Sequence, residues 1–193
     1  MISLKRIPLL FALILTCTGI GSAQKFCEAA PPSPFKHSAL IVTSYDPVVR
    51  RMKTTLEHPR AISKQDGGLY LYASFFYQDR RVRQPPSIDL YFIAVSKRPH
   101  YREAHELSIL ADGQSWPFTG LAQYATEPGE KGLTLEKIKV TLSYPSFVNL
   151  LRARKVQARL GGSEFELTNN HLESLREIAS LMMPSGNSKL AMR

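Results

Sequence analysis

This sequence predicts a mainly β fold, antiparallel and sandwich-like, with a short helix near residues 145–153 and a packed C-terminal helix near 169–183. Three observations carry the prediction. Leu69–Tyr77 (LYLYASFFY) and Ile88–Val95 (IDLYFIAV) are apolar, aromatic-rich runs of strand length. Ala158–Leu167 (ARLGGSEFEL) alternates on either side of a Gly-Gly pair, the pattern of a two-residue hairpin. Directly after it the apolar spacing changes from two to between three and four residues, the helical period.

The first 23 residues stand apart from any fold. Lys5 and Arg6 precede the apolar run Ile7–Ile20, and Gly21-Ser22-Ala23 offers the small residues of an export cleavage site, so 1–23 reads as a signal peptide. A 14-residue apolar run falls short of the ~20 residues needed to cross a bilayer. Lipidation at Cys17 is disfavoured because Thr16 occupies a position where Gly or Ala is wanted. Cleavage would remove 23 of 193 residues and two of 25 basic groups, leaving 170 residues and, against 16 acidic groups, a formal charge of +7. One domain is then expected, placed in the periplasm or secreted, with no transmembrane helix in the mature chain. Cys27 is its one thiol, so no internal disulfide can form, although Cys27 could pair between chains.

Residues 24–38 are rich in proline and read as a linker. Ala39–Tyr45 follows as a strand. Pro47–His58 takes no assignment, because it offers neither clear alternation nor a helix cap. Leu69–Tyr77 and Ile88–Val95 carry large apolar groups on both faces, which predicts central strands covered by a layer on each side. Glu106–Ala111 and Leu133–Leu142 are further strands. In the last, Leu133 and Leu135 differ in parity from Ile138, Val140 and Leu142, so a bulge near Glu136 and Lys137 is expected. Pro145 suits a first helical position, and Phe147, Leu150 and Leu151 share a face before Arg152, Arg154 and Lys155 end the short helix.

A turn at Gly161-Gly162 sets a definite register: Leu160 opposite Ser163, Arg159 opposite Glu164, Ala158 opposite Phe165, Gln157 opposite Glu166 and Val156 opposite Leu167. The expected primed turn asks for positive φ at both glycines. In the helix that follows, Thr168 or Asn170 can serve as the cap, and Asn170 with Glu173 resembles a capping box. Leu172, Leu175, Ile178, Ala179, Met182 and Met183 fall within an arc of about 140°. Burying Leu172, Leu175, Ile178 and Met182 would contribute at most ~6–12 kcal/mol, comparable with a domain's net stability, so this helix belongs to the fold. Residues 184–193 show no periodicity and read as a disordered tail.

Taken together, Ile109-Leu110-Ala111-Asp112-Gly113, the strand ending at Tyr144 with Phe147 beyond it, Arg159–Leu167 (RLGGSEFEL), and Leu172 with Leu175-Arg176 resemble a group of uncharacterised exported bacterial envelope proteins. The likeness covers about Tyr45 to Met183. It implies an envelope location and a mostly β fold with a packed C-terminal helix, and it implies no activity.

Chemistry-bearing motifs are few. His100–Glu106 (HYREAHE) lacks the second metal-ligating His, with Ile109 standing where it should be. No Gly-x-Ser-x-Gly turn and no glycine-rich phosphate loop occurs, and nothing calls for a cofactor. Carboxylate pairs for an envelope hydrolase stay open, because their spacing in space is invisible in sequence. What stands out is basic clustering at Arg50-Arg51-Met52-Lys53, Arg80-Arg81-Val82-Arg83, Lys97–Arg102 and Arg152–Lys155. Most of these charges read as solvated loops, with Arg80, Arg81 and Arg83 the candidate anion-binding residues. The partners they suggest are an anionic envelope component or an acidic protein. An antiparallel Leu69–Val95 hairpin would hold the Arg80 and Lys97 clusters roughly 26 Å apart, well beyond a Debye length of ~8 Å, so they would not form one site. The sequence thus favours a non-enzymatic binding or accessory module of the envelope, with an envelope hydrolase as the alternative.

Overall fold

The strands assemble into two antiparallel sheets whose apolar sides face a common core. A computed structural model describes residues 33–64, 68–78, 85–103, 106–116 and 122–182. In chain order the strands are β1 (Leu40–Asp46), β2 (Arg51–Ser63), β3 (Leu69–Tyr77), β4 (Ser87–Ser96), β5 (Leu107–Ala111), β6 (Gln114–Trp116), β7 (Gln123–Pro128), β8 (Thr134–Ser143), β9 (Val156–Leu160) and β10 (Ser163–Leu167). Helix α1 (Tyr144–Leu150) joins β8 to β9, and α2 (Asn169–Leu181) follows β10. The larger sheet runs β1-β2-β3-β4-β8-β7 and the smaller β10-β9-β5-β6. The fold is therefore a mainly antiparallel, β-sandwich-like architecture with two short helices. Among the described residues no helix is long and apolar enough to cross a membrane.

Alternation decides which face each strand buries. Leu69, Leu71, Ala73, Phe75 and Tyr77 of β3 and Ile88, Leu90, Phe92 and Ala94 of β4 point inward, and Phe92 meets Phe165 of the smaller sheet at 5.6 Å between ring centroids. Both strands are central, as expected. On their other face Tyr70, Tyr72, Phe76, Tyr91, Ile93 and Val95 are half-buried. The expected second layer is therefore absent among the described residues, and that face is shielded by its own large side chains.

Two further expectations are corrected. The register from Ser87↔Ser143 to Ser96↔Thr134 is unbroken, so β8 has no bulge at Glu136 and Lys137. Instead the inward position in line with Ile138, Val140 and Leu142 is occupied by Glu136, fully buried, while Leu135 turns outward opposite Val95. The unassigned Pro47–His58 stretch contains the start of a thirteen-residue strand. Its inward residues are Met52, Thr54, Leu56 and His58, two of them polar and buried. Its pairing with β3 is irregular between Glu57 and Ala61, around Pro59.

The C-terminal third follows the expected plan. Every β9–β10 pair falls in the predicted register, and Val156, Ala158, Leu160, Phe165 and Leu167 are all buried. Gly161 has φ of 56°, whereas Gly162 is not among the positive-φ residues, so one glycine of the pair meets the turn's left-handed requirement. Ser143 caps α1 by accepting from the Ser146 backbone N–H at 3.2 Å, with Pro145 in the first turn. Leu172, Leu175, Ile178, Ala179 and Met182 of α2 are buried in the core. The cap of α2 is Thr168. Asn170 instead accepts from Ser38, and Glu173 pairs with Arg176 at 2.7 Å. His37 contacts Glu177, so the last residues of the expected linker are docked on α2.

Candidate functional sites

Most buried polar groups are committed to holding elements together. At the irregular turn of β2, the Arg60 N–H donates to His58 Nδ1 at 3.2 Å, leaving Nε2–H to donate to Asn170 Oδ1 at 2.7 Å. His171 stacks on His58 with ring centroids 4.0 Å apart. Its Nδ1 accepts from the Thr168 backbone N–H at 3.3 Å, and its Nε2–H donates to the Arg60 carbonyl at 3.2 Å. Burial lowers the His171 pKa from 6.5 to about 4, with the neighbouring His58 and Arg60 charges adding to the effect. Both rings thus brace β2 against the start of α2, and His171 does so as a neutral imidazole. Among the described residues no group of His, Cys, Asp or Glu is arranged to hold a metal ion.

Glu136 is satisfied in the same way. Its carboxylate accepts from the backbone N–H groups of His100 and Tyr101 at 2.9 and 2.8 Å and from the Tyr124 hydroxyl at 2.9 Å. Burial, and then the Glu136 carboxylate, push the Tyr124 pKa up to about 12. Arg176 binds the Leu151 and Ala153 carbonyls, both at 3.0 Å, closing the end of α1. Asp112 Oδ1 accepts from the Arg154 and Lys155 N–H groups, which ties the basic segment to the β5–β6 turn. The Asp-Gly and Leu-Arg motifs of the sequence therefore have structural roles.

Three surfaces remain. A concavity of about 700 Å³ on the smaller sheet is lined by Ser108, Leu110, Ser115, Gln157, Arg159 and the pair Glu164 and Glu166. Glu166 is half-exposed and bonded to Lys155 at 3.1 Å at the rim of this concavity. A second hollow, of about 600 Å³, is bordered by Pro99, Arg102, Glu103, Tyr124 and Thr126.

The third surface is the β1–β2 hairpin. Of the seven exposed large hydrophobic residues among the described ones, five lie between residues 40 and 49: Leu40, Val42, Tyr45, Val48 and Val49. β1 is an edge strand of uncharged residues up to Asp46, without the lysines, prolines or bulges that usually protect such an edge. Val48 at the tip is 88% exposed. Asp46 pairs in register with Arg51, and Arg50 closes the turn at φ 53°.

The candidate anion-binding residues Arg80, Arg81 and Arg83 lie outside the described residues, as do the signal-peptide segment 1–23, Cys17, Cys27, His105 and the tail 184–193. β3 and β4 pair antiparallel, as the separation of the Arg80 and Lys97 clusters assumed. Sequence reasoning noted Arg50, Arg51 and Lys53 but not the valines beside them. The available signal was Pro47-Val48-Val49, an apolar turn between an uncharged strand and a basic one.

Fold and surface together define a two-sheet antiparallel β domain with packed helices and one strongly apolar hairpin. No family model, no curated protein and no solved structure matches the chain.

Proposed function

We propose that the protein is an exported, non-enzymatic binding or accessory module of the bacterial envelope that engages an anionic component through its surface. The observation that carries this reading is the concentration of exposed apolar side chains at residues 40–49 next to Arg50 and Arg51. Soluble domains keep such patches small unless something docks there. The signal-like N-terminus supports export, and the surplus of basic residues supports an anionic partner. Arg80, Arg81 and Arg83 are assigned to anion contact on the same grounds. The test is retention of the protein on heparin and lipid A resins, with capture of partners from envelope extract. Salt-sensitive retention that disappears in the R80A/R81A/R83A variant is the expected result. Retention indifferent to salt and to that triple change would remove the anionic partner. Hydrolysis of an envelope polymer by the purified protein would replace the reading with that of an envelope hydrolase.

A further inference from the structure

From the geometry of the β1–β2 hairpin we infer that its tip is a docking element for the surface of an anionic lipid bilayer, with Val48 and Val49 entering the headgroup boundary and Arg50 and Arg51 meeting lipid phosphates. The inference rests on the envelope-binding reading and names both the site and the partner.

Three features of the hairpin support it. The first is the arrangement of apolar and basic groups. Val48 and Val49 are 88% and 48% exposed at the tip, Tyr45 is exposed on the strand leading to it, and Arg50 and Arg51 follow directly. Neither arginine makes an ion pair among the described residues, whereas Lys53 lies over the Phe76 ring at 5.5 Å. An apolar point with a cationic collar and an interfacial tyrosine suits the region where acyl chains give way to phosphates.

Backbone hydrogen bonding is the second feature. A loop entering a low-dielectric layer must not carry unpaired N–H groups. Here Pro47 has none, and the N–H groups of Val48 and Val49 both donate to Asp46 Oδ1, at 2.9 and 3.2 Å. The donors of the apolar point are therefore satisfied before it leaves water, and the shape of the turn is fixed by the same bonds.

Reach is the third. The loop extends two residues beyond the Asp46↔Arg51 pair on each side, at most about 7 Å at ~3.3 Å per residue. Interfacial elements bury their apolar side about 5–10 Å deep, so the valines can enter while the arginines stay at phosphate level. Arg50 and Arg51 outweigh the single Asp46 carboxylate, which is turned onto the N–H groups of the tip, so charge complementarity favours a bilayer carrying anionic headgroups over a neutral one.

The experiment is co-sedimentation of the purified protein with vesicles of phosphatidylcholine alone and of phosphatidylcholine mixed with phosphatidylglycerol. Binding to the mixed vesicles, weakened by salt, and little binding to the neutral ones is expected. The V48D/V49D variant should lose vesicle binding, and R50Q/R51Q should weaken it roughly thirtyfold, at ~1 kcal/mol for each basic residue at the surface. The L110D variant, altered at an exposed leucine of the other sheet, should bind as the parent does. All these positions are exposed, so folding is not at stake. Vesicle binding that ignores the valine and arginine changes, or equal binding to both vesicle types, overturns the inference. So does a dimer that V48D/V49D splits without any vesicle binding, which would assign the tip to a second copy. Retention on envelope resins without vesicle binding overturns the inference and leaves the envelope-binding reading standing, whereas loss of both removes both.

Discussion

Replacing His171 by Gln should remove the part of the protein's acid sensitivity that this residue carries while changing its stability near neutral pH by no more than about 1–2 kcal/mol. His171 is 1% exposed, and its pKa lies at about 4 in the fold against 6.5 for an ordinary histidine. The unfolded chain therefore takes up a proton between pH 6.5 and 4 that the folded chain refuses. Stability is whole above pH 6.5, declines as the pH falls through that window, and is lower by the full difference below about 4. The gap corresponds to about 3 kcal/mol at ~1.4 kcal/mol per pH unit. The geometry explains the refusal. A proton on Nδ1 would oppose the Thr168 N–H that now donates to it, and a cation there would sit at the start of α2 against the His58 ring. Glutamine can still accept from the Thr168 N–H in a capping box and donate to the Arg60 carbonyl, but it does not titrate. Urea unfolding of parent and variant from pH 7.5 to 4 measures the difference. The variant should lose about 3 kcal/mol less across the window and stay within about 1–2 kcal/mol of the parent at pH 7.5. An identical pH dependence in the two proteins, or a His171 titration midpoint near 6.5 by NMR, would refute the argument.

Two further outcomes follow from named contacts. Tyr124→Phe removes a hydrogen bond to a buried carboxylate and should cost about 1.5–3 kcal/mol in urea unfolding, while Glu136→Ala leaves two backbone N–H groups and the Tyr124 hydroxyl without their acceptor and should cost more. At the β9–β10 turn, Gly161→Ala should cost about 1–2 kcal/mol because φ there is 56°, whereas Gly162→Ala should stay within about 0.5 kcal/mol, since an added Cβ meets nothing within 4 Å; equal effects at the two positions would contradict the turn geometry.

The contrast between β10 and β2 shows what made the fold legible. In β9–β10 the turn glycines and the burial period point to one register, so local chemistry and tertiary packing agree. In β2 they do not. Thr54 is buried because Thr43 supplies a hydroxyl partner at 2.8 Å across the sheet, and His58 because Asn170, 112 residues away, accepts a hydrogen bond from its ring N–H. A polar residue whose partner is that remote reads as a surface residue, which hides the strand's period. Glu136 misleads for the same reason: its donors come from residues 100, 101 and 124, and a carboxylate in an inward position reads as a break in register.

The candidate hairpin was half visible, and the invisible half is informative. Sequence shows Arg50 and Arg51, but basic residues are common, and several others are engaged in the structure. Lys155 pairs with Glu166, Lys137 with Glu127, and the backbone of the 152–155 cluster is bound by Asp112. What separates the hairpin cluster from the others is its apolar company, and exposure cannot be read from composition, since Val48 and Val49 resemble any strand valines. Burial of most of the remaining large apolar side chains turns two ordinary residues into a distinguishing feature. A fold that buries a glutamate and two histidines with all their hydrogen bonds satisfied yet leaves two valines in water at a rigid turn has a stable surface feature there, not a packing defect. The folded domain gains nothing from that exposure, which is the ground for proposing that the tip docks on a partner surface.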